Sequence, residues 1–251
     1  VNEWRNKKCH KVSKNIQATN VPRRTKRVAL LINNMHFYDP ALTRHGADKD
    51  EQGMVNLLHT LGYEVDRHRN LPAQKMDEAL KSFARRPTLP LTDSVFVVVM
   101  SHGGMGTICG TGSHRIEIDR IYERLNSRNC PALKDKPKIV IIQASRGGES
   151  LLCCLFQCSY LEDRLSHLVS SAASSTDHCS YGSFFIQSIA EVFNTRSDAW
   201  SLCDISDPQV MQRFHVSGMQ QLMPSVELHT LTKPFYLLPG ECRNMRLCVR
   251  L

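Results

Sequence analysis

No apolar run in this 251-residue chain approaches the roughly 20 residues that cross a bilayer, and its first thirty residues are basic and polar without a signal-peptide core. That absence argues against a membrane protein and leads to the expectation of a cytoplasmic one. Metal-ligand spacing is missing as well. Cys153, Cys154 and Cys158 form the one cluster among ten cysteines, and no partner CxxC or HxxxH accompanies them, so no zinc and no other cofactor is expected. Scattered cysteines in a chain of this size read as reduced thiols in a reducing compartment and not as a disulfide framework. The formal charge is +8, much of it carried by the lysines and arginines of Val1 to Arg27. These have no interleaved aromatics and no groove-reading motif, which fits a solvated arm better than a nucleic-acid or membrane surface. The chain also lacks a Gly-x-Ser-x-Gly elbow and an obvious Asp-His support, so a serine hydrolase of that type is disfavoured. It does not begin with methionine, which suggests a fragment or a mature form.

What is present reads as one compact unit. With 41% hydrophobic and 22% charged residues, the chain has ordinary globular composition and the length to bury a full core. Apolar runs predict strands over Arg27 to Asn33, Tyr63 to Arg69, Val95 to Met100, Lys138 to Ile142, Leu165 to Ser171 and Lys233 to Leu238. Amphipathic spacing predicts helices over Gly46 to Leu61, Ala73 to Arg85, Ile116 to Asn126, Gly182 to Asn194 and Asp207 to Val216, with Gly62 ending the first. The alternation of strand and helix points to a mostly parallel sheet covered on both faces, with reactive groups at the carboxyl ends of its strands.

Two polar stretches fall at such ends. Ser101-His102-Gly103-Gly104 follows one strong strand and Gln143-Ala144-Ser145-Arg146-Gly147 follows another, with His102 lying 43 positions before Ser145. The second stretch resembles the nucleophile loop of the caspases, with serine where that family carries cysteine. Thr43 to Asp48, Asp93 to Gly103, Gly106 to Gly110, Asn129 to Lys138 and Phe235 to Gly240 resemble caspase segments too. The likeness therefore runs from about Arg27 to Gly240, with the inflammatory, interleukin-converting subgroup as the best match.

This resemblance implies a three-layer α/β/α sandwich around a mostly parallel six-stranded sheet. It implies a cysteine endopeptidase acting on aspartate-containing peptides or proteins and working as a caspase homo- or heterodimer, with inflammasome-type adaptors as further partners. The last strand, Lys233 to Leu238, is expected to be the dimer seam. Residues 1–26 would be a flexible arm, 27–147 a large-subunit-like part, 148–165 a shortened linker, 166–240 a small-subunit-like part and 241–251 an atypical tail. By position, His102 is the acid/base, and the amides of Gly103 and Ser145 are the oxyanion donors. Arg44, Gln143 and Ser175 would line the pocket for the substrate aspartate.

Three departures bear on activity. A thiol with a pKa near 8.5 is readily ionised beside an imidazole, whereas a serine hydroxyl at position 145 needs a well-supported base. Asp177 stands where an arginine contact to the substrate carboxylate is expected, so like charges face each other unless the alignment slips there. Asp163 is the one aspartate between Gly148 and Ser171, which makes activating cleavage doubtful. Two readings remain: a degenerate, binding-only caspase-like protein, or an active inflammatory caspase in which Ser145 is an introduced change or a sequence error.

Overall fold

The structure is a computed structural model. It describes residues 26–104, 106–146, 165–172, 182–183, 185–187, 189–190, 200–201, 223–229 and 236–237. In chain order the elements are β1 (Arg27–Asn33), α1 (Ala47–Thr60), β2 (Tyr63–Arg69), α2 (Ala73–Ala84), β3 (Val95–Gly104), β4 (Thr107–Cys109), β5 (Arg115–Glu117), α3 (Ile118–Leu125), β6 (Lys138–Arg146), β7 (Leu165–Ala172), β8 (Trp200–Ser201), β9 (Met223–His229) and β10 (Tyr236–Leu237). Three short 3-10 turns begin at Pro40, Leu89 and Pro131.

The main sheet runs β2-β1-β3-β6-β7-β9, parallel from β2 to β7 and antiparallel at β9. Alternate residues of each strand face opposite sides, and the sequence fills both sides with apolar groups. On one face Ala29, Leu31, Phe96, Val98 and Ile141 pack under Met54, Leu57 and Leu58 of α1 and under Phe185, Ile186 and Ile189. On the other, Val28, Leu30, Val97, Val99 and Val140 pack under Met76, Leu80 and Phe83 of α2 and Ile121, Tyr122 and Leu125 of α3. The predicted sandwich is therefore present, with one core on each side of the sheet. Gly62 closes α1 at φ 76°, a left-handed conformation in which glycine has no Cβ to clash.

Several expectations change in detail. β3 and β6 run on to Gly104 and Arg146, past the predicted ends at Met100 and Ile142. The extension of β3 is held by β4, whose Ile108 and Thr107 pair with Gly103 and Gly104. The predicted last strand, Lys233 to Leu238, contributes its residues Tyr236 and Leu237 to a separate two-stranded sheet with Trp200 and Ser201. The strand beyond β7 in the main sheet is instead β9, MPSVELH, where no strand is predicted from sequence. Pro224 and the charged Glu227 break an apolar pattern there, and both suit a peripheral strand in which proline costs little. Residues 185–187 and 189–190 are helical, within the predicted helix from Gly182 to Asn194. The predicted helix from Asp207 to Val216, the arm at 1–25 and the Cys153, Cys154 and Cys158 cluster lie outside the described residues.

Candidate active site

The parallel pairing of β3 with β6 sets Met100 beside Gln143, His102 beside Ser145 and Gly103 beside Arg146. Neighbouring strands lie about 4.8 Å apart, so the histidine and the serine position sit side by side at the carboxyl end of the sheet. The same register places Gln143 two residues further back. Gly103 is fixed by close packing: a Cβ built there would stand 2.7 Å from Ala144 Cβ and 2.8 Å from the Thr107 carbonyl oxygen. The chain's own atoms occupy the space that a side chain would need.

His102 is half-buried, and its Nε2 lies 2.8 Å from the carbonyl oxygen of Leu42. A carbonyl can only accept, so Nε2 carries the proton and the basic lone pair of the neutral ring is on Nδ1. The ring also packs against Phe37, with centroids 4.9 Å apart and planes tilted by 46°. Burial lowers the imidazole pKa, and the nearby Arg44 cation lowers it further, against the opposing pull of the Leu42 carbonyl. The neutral ring, able to take a proton at Nδ1, is therefore the dominant form near neutral pH.

Behind the histidine lies a second, more deeply buried group. Arg44 is 2% exposed, and its Nη1 donates to Asn33 Oδ1 at 3.1 Å and to the Asn34 carbonyl oxygen at 2.9 Å. Its Nη2 donates to Oε1 of Gln143, which is itself 2% exposed. Asn33 is held in turn, because its Nδ2 donates to the Ala47 carbonyl at 2.8 Å and to Glu51 Oε2 at 3.2 Å. These bonds use three of the five guanidinium N–H groups, and Nε has no partner among the described residues. Burial lowers the Arg44 pKa to about 10, opposed by the charge of Asp50. The group still carries a full positive charge at neutral pH, and a planar fork of this kind matches a carboxylate.

Thus the structure brings His102, Gly103, Ser145, Arg44 and Gln143 to one end of the sheet. Ser175 and Asp177 lie outside the described residues. Sequence reasoning missed the Leu42 carbonyl, Asn33 and Asn34. The first is a backbone atom in a loop and carries no residue signal. Asn33 ends the run RVALLIN and Asn34 follows it, and two polar residues at the carboxyl end of a buried strand were a signal available to be read. Asn34 ties three segments together: its Nδ2 donates to Ser101 Oγ at 3.2 Å and to the Cys109 carbonyl at 3.1 Å, while its Oδ1 accepts from the Leu71 amide at 2.8 Å.

A histidine with a fixed tautomer, beside a serine position at the carboxyl end of an α/β/α sandwich, is an arrangement that can support acyl transfer. The comparisons specify the family. The caspase domain family matches residues 26–236. The chain is 38% identical over 240 residues to caspase a of Danio rerio, covering 86% of this chain and 62% of that protein. It is 36% identical over 246 residues to caspase-1 of Sus scrofa, covering 86% and 60%. It is 34% identical over 244 residues to caspase-4 of Mus musculus, covering 86% and 65%. The crystal structure of caspase-1 from Spodoptera frugiperda superposes with a TM-score of 0.71 at 21% identity, over 88% of this chain and 95% of that one, and supports the fold. The chain belongs to the caspase family. It spans about three fifths of the length of these curated relatives.

Proposed function

We propose that this chain is a caspase-like pseudo-peptidase of inflammatory or cell-death signalling. In this reading it hydrolyses peptides poorly or not at all and acts in the cytoplasm by binding or dimerising with caspases or their adaptors. The observation that carries the proposal is Ser145 at the strand position beside His102. A cysteine there would give up its proton to the imidazole before attack, whereas a serine must be deprotonated as it attacks, by a base strong enough to do so. His102 is a weakened base, lowered by burial and by Arg44, and the atom found on its Nε2 side is a neutral carbonyl instead of a carboxylate. A neutral buttress gives little stabilisation to an imidazolium.

The roles assigned are those of the family. His102 serves as acid/base, the Gly103 and Ser145 amides as oxyanion donors, and Arg44 with Gln143 as the recognition pair for an acidic side chain. Ser175 and Asp177 complete the pocket, the latter as a repelling charge. Residues 27–147 and 166–240 correspond to large and small subunits joined by the shortened 148–165 linker, between the 1–26 arm and the 241–251 tail. The dimer seam in this reading is the last strand, Lys233 to Leu238, of which Tyr236 and Leu237 pair with Trp200 and Ser201.

The well-bonded Arg44–Gln143 pair favours a second reading, an active caspase in which Ser145 is a change made to an otherwise working site. Restoration separates the two. Ser145→Cys alone and Ser145→Cys with Asp177→Arg are compared for cleavage of an aspartyl peptide. The pseudo-peptidase reading expects partial activity from the single change and a further gain from the second. Full activity from Ser145→Cys alone would support the alternative.

A further inference from the structure

Asp50, in the first turns of α1, is 1% exposed. The spacing that sets the apolar face of this helix gives no reason for a carboxylate in the interior, and burying one costs several kcal/mol unless it is paired and hydrogen-bonded. Its partner comes from far along the chain: Oδ1 accepts the backbone amide of Ser183 at 2.6 Å, across 133 residues of sequence. Oδ2 has no hydrogen-bond partner among the described residues. Ser183 precedes the helical residues 185–187 and caps them, because its Oγ accepts from the Ile186 amide at 3.3 Å and its carbonyl from the Gln187 amide at 3.1 Å. The residue before it is shaped to meet the carboxylate. Gly182 has φ +95°, and a Cβ there would lie 2.6 Å from Asp50 Oδ1 and 3.3 Å from Lys49 Cβ.

Arg44, on the loop leading into α1, interacts with Asp50 through charge, without a direct hydrogen bond or ion pair. Burial raises the pKa of Asp50, opposed by the Ser183 amide and by the Arg44 cation, and burial lowers that of Arg44, opposed by Asp50, so each charge holds the other in its ionised form; the Nε of Arg44 and the Oδ2 of Asp50 are both without hydrogen-bond partners among the described residues. Asp50 therefore acts in two directions. One oxygen fixes the turn that precedes the helical residues 185–187, and the charge offsets the guanidinium that the pocket reading assigns to acid recognition.

We propose that Asp50 is a positioning residue of the pocket: it clasps the Gly182–Ser183 turn to α1 and sets the charge that Arg44 shows to an acidic ligand. The inference rests on the reading of Arg44 and Gln143 as the acid-recognising pair, and it adds a residue to which no role has been assigned.

Two variants separate the two actions. Asp50→Asn keeps an oxygen for the Ser183 amide and removes the charge. Gly182→Ala leaves the charge and breaks the clasp by steric conflict and by backbone strain. Gly53→Ala is the control, since a Cβ there on the same helix meets the same helical stretch at an ordinary 4.0 Å from Ile186 Cγ2. Hydrogen exchange at the Ser183, Ile186 and Gln187 amides is measured in the full chain. Binding is measured in parallel for two labelled tetrapeptides that differ in ending with aspartate or asparagine. Gly182→Ala should speed exchange about tenfold, the size expected for left-handed strain on an alanine, while Asp50→Asn and Gly53→Ala leave it within a factor of two or so of the native rate. Asp50→Asn should tighten the aspartate peptide several-fold and leave the asparagine peptide unchanged, a discrimination that a purely structural role would not alter. Unchanged exchange in Gly182→Ala overturns the clasp. Equal effects of Asp50→Asn on both peptides overturn the charge role. If the native chain binds neither peptide and Asp50→Asn restores neither, the charge role falls together with the pocket reading, and exchange alone decides the clasp.

Discussion

The two ends of the site are built to different standards. Arg44 and Gln143 are part of the core, each 2% exposed, and removing either strands buried polar atoms on its neighbours. His102 lies at the rim, half-buried, with its Nε2 on the Leu42 carbonyl and its ring against Phe37. The contrast has a consequence for how such a protein changes. Replacing the half-buried His102 perturbs fewer packed atoms than replacing Arg44 or Gln143, whose loss endangers the fold. In the proposed reading, the chain loses its chemistry and keeps its recognition pair because that pair is also part of the core.

Substitutions at the two ends test this contrast. Arg44→Leu should have the largest effect, about 3–5 kcal/mol of lost stability, because Asn33, Gln143 and Asp50 would be left with buried groups uncompensated. Urea unfolding measures it, and a cost below about 1 kcal/mol would mean that the pair is not part of the core. Gly103→Ala should cost about 1–3 kcal/mol through its conflict with Ala144 Cβ and the Thr107 carbonyl, visible as a lower denaturant midpoint with an unchanged slope. His102→Ala should cost about 1 kcal/mol, the scale of a hydrogen bond or a ring contact at a half-buried position. A loss as large as that for Arg44→Leu would erase the distinction between rim and core. The smallest effect is on pH dependence. Because burial lowers the His102 pKa, the unfolded chain takes up a proton there before the folded one does. The histidine therefore contributes stability that is present above about pH 6.5 and is lost as pH falls through its lower folded value. His102→Ala should flatten that part of the stability–pH curve.

Much of the fold was legible in the sequence because its signals are local. RVALLIN and VFVVVM are unbroken apolar runs, and each became a strand buried on both faces. Gly62 stands where a helix needs a left-handed residue. The misses have physical causes. β4 and β5 are three residues each, too short for periodicity to register, yet β4 carries β3 beyond Met100 so that His102 lies within the strand. β9 was hidden by Pro224 and Glu227, residues that a peripheral position tolerates. In the site, the motif around Ser145 and the histidine upstream were readable as patterns of side chains. The Leu42 carbonyl was not, because it is a backbone atom. Asp50 was hidden for another reason: a charged residue in an amphipathic helix reads as solvent-facing, and its partner Ser183 is far away in sequence.

The central claim is that the hydroxyl at position 145 disables a site designed around a thiol. It is tested most directly by measuring kcat/KM for one fluorogenic aspartyl peptide with the native chain and with Ser145→Cys side by side. The account predicts that the native chain is slower by at least about a thousandfold, given that losing a hydrolase nucleophile altogether costs about a millionfold. Equal rates in the two proteins would contradict it.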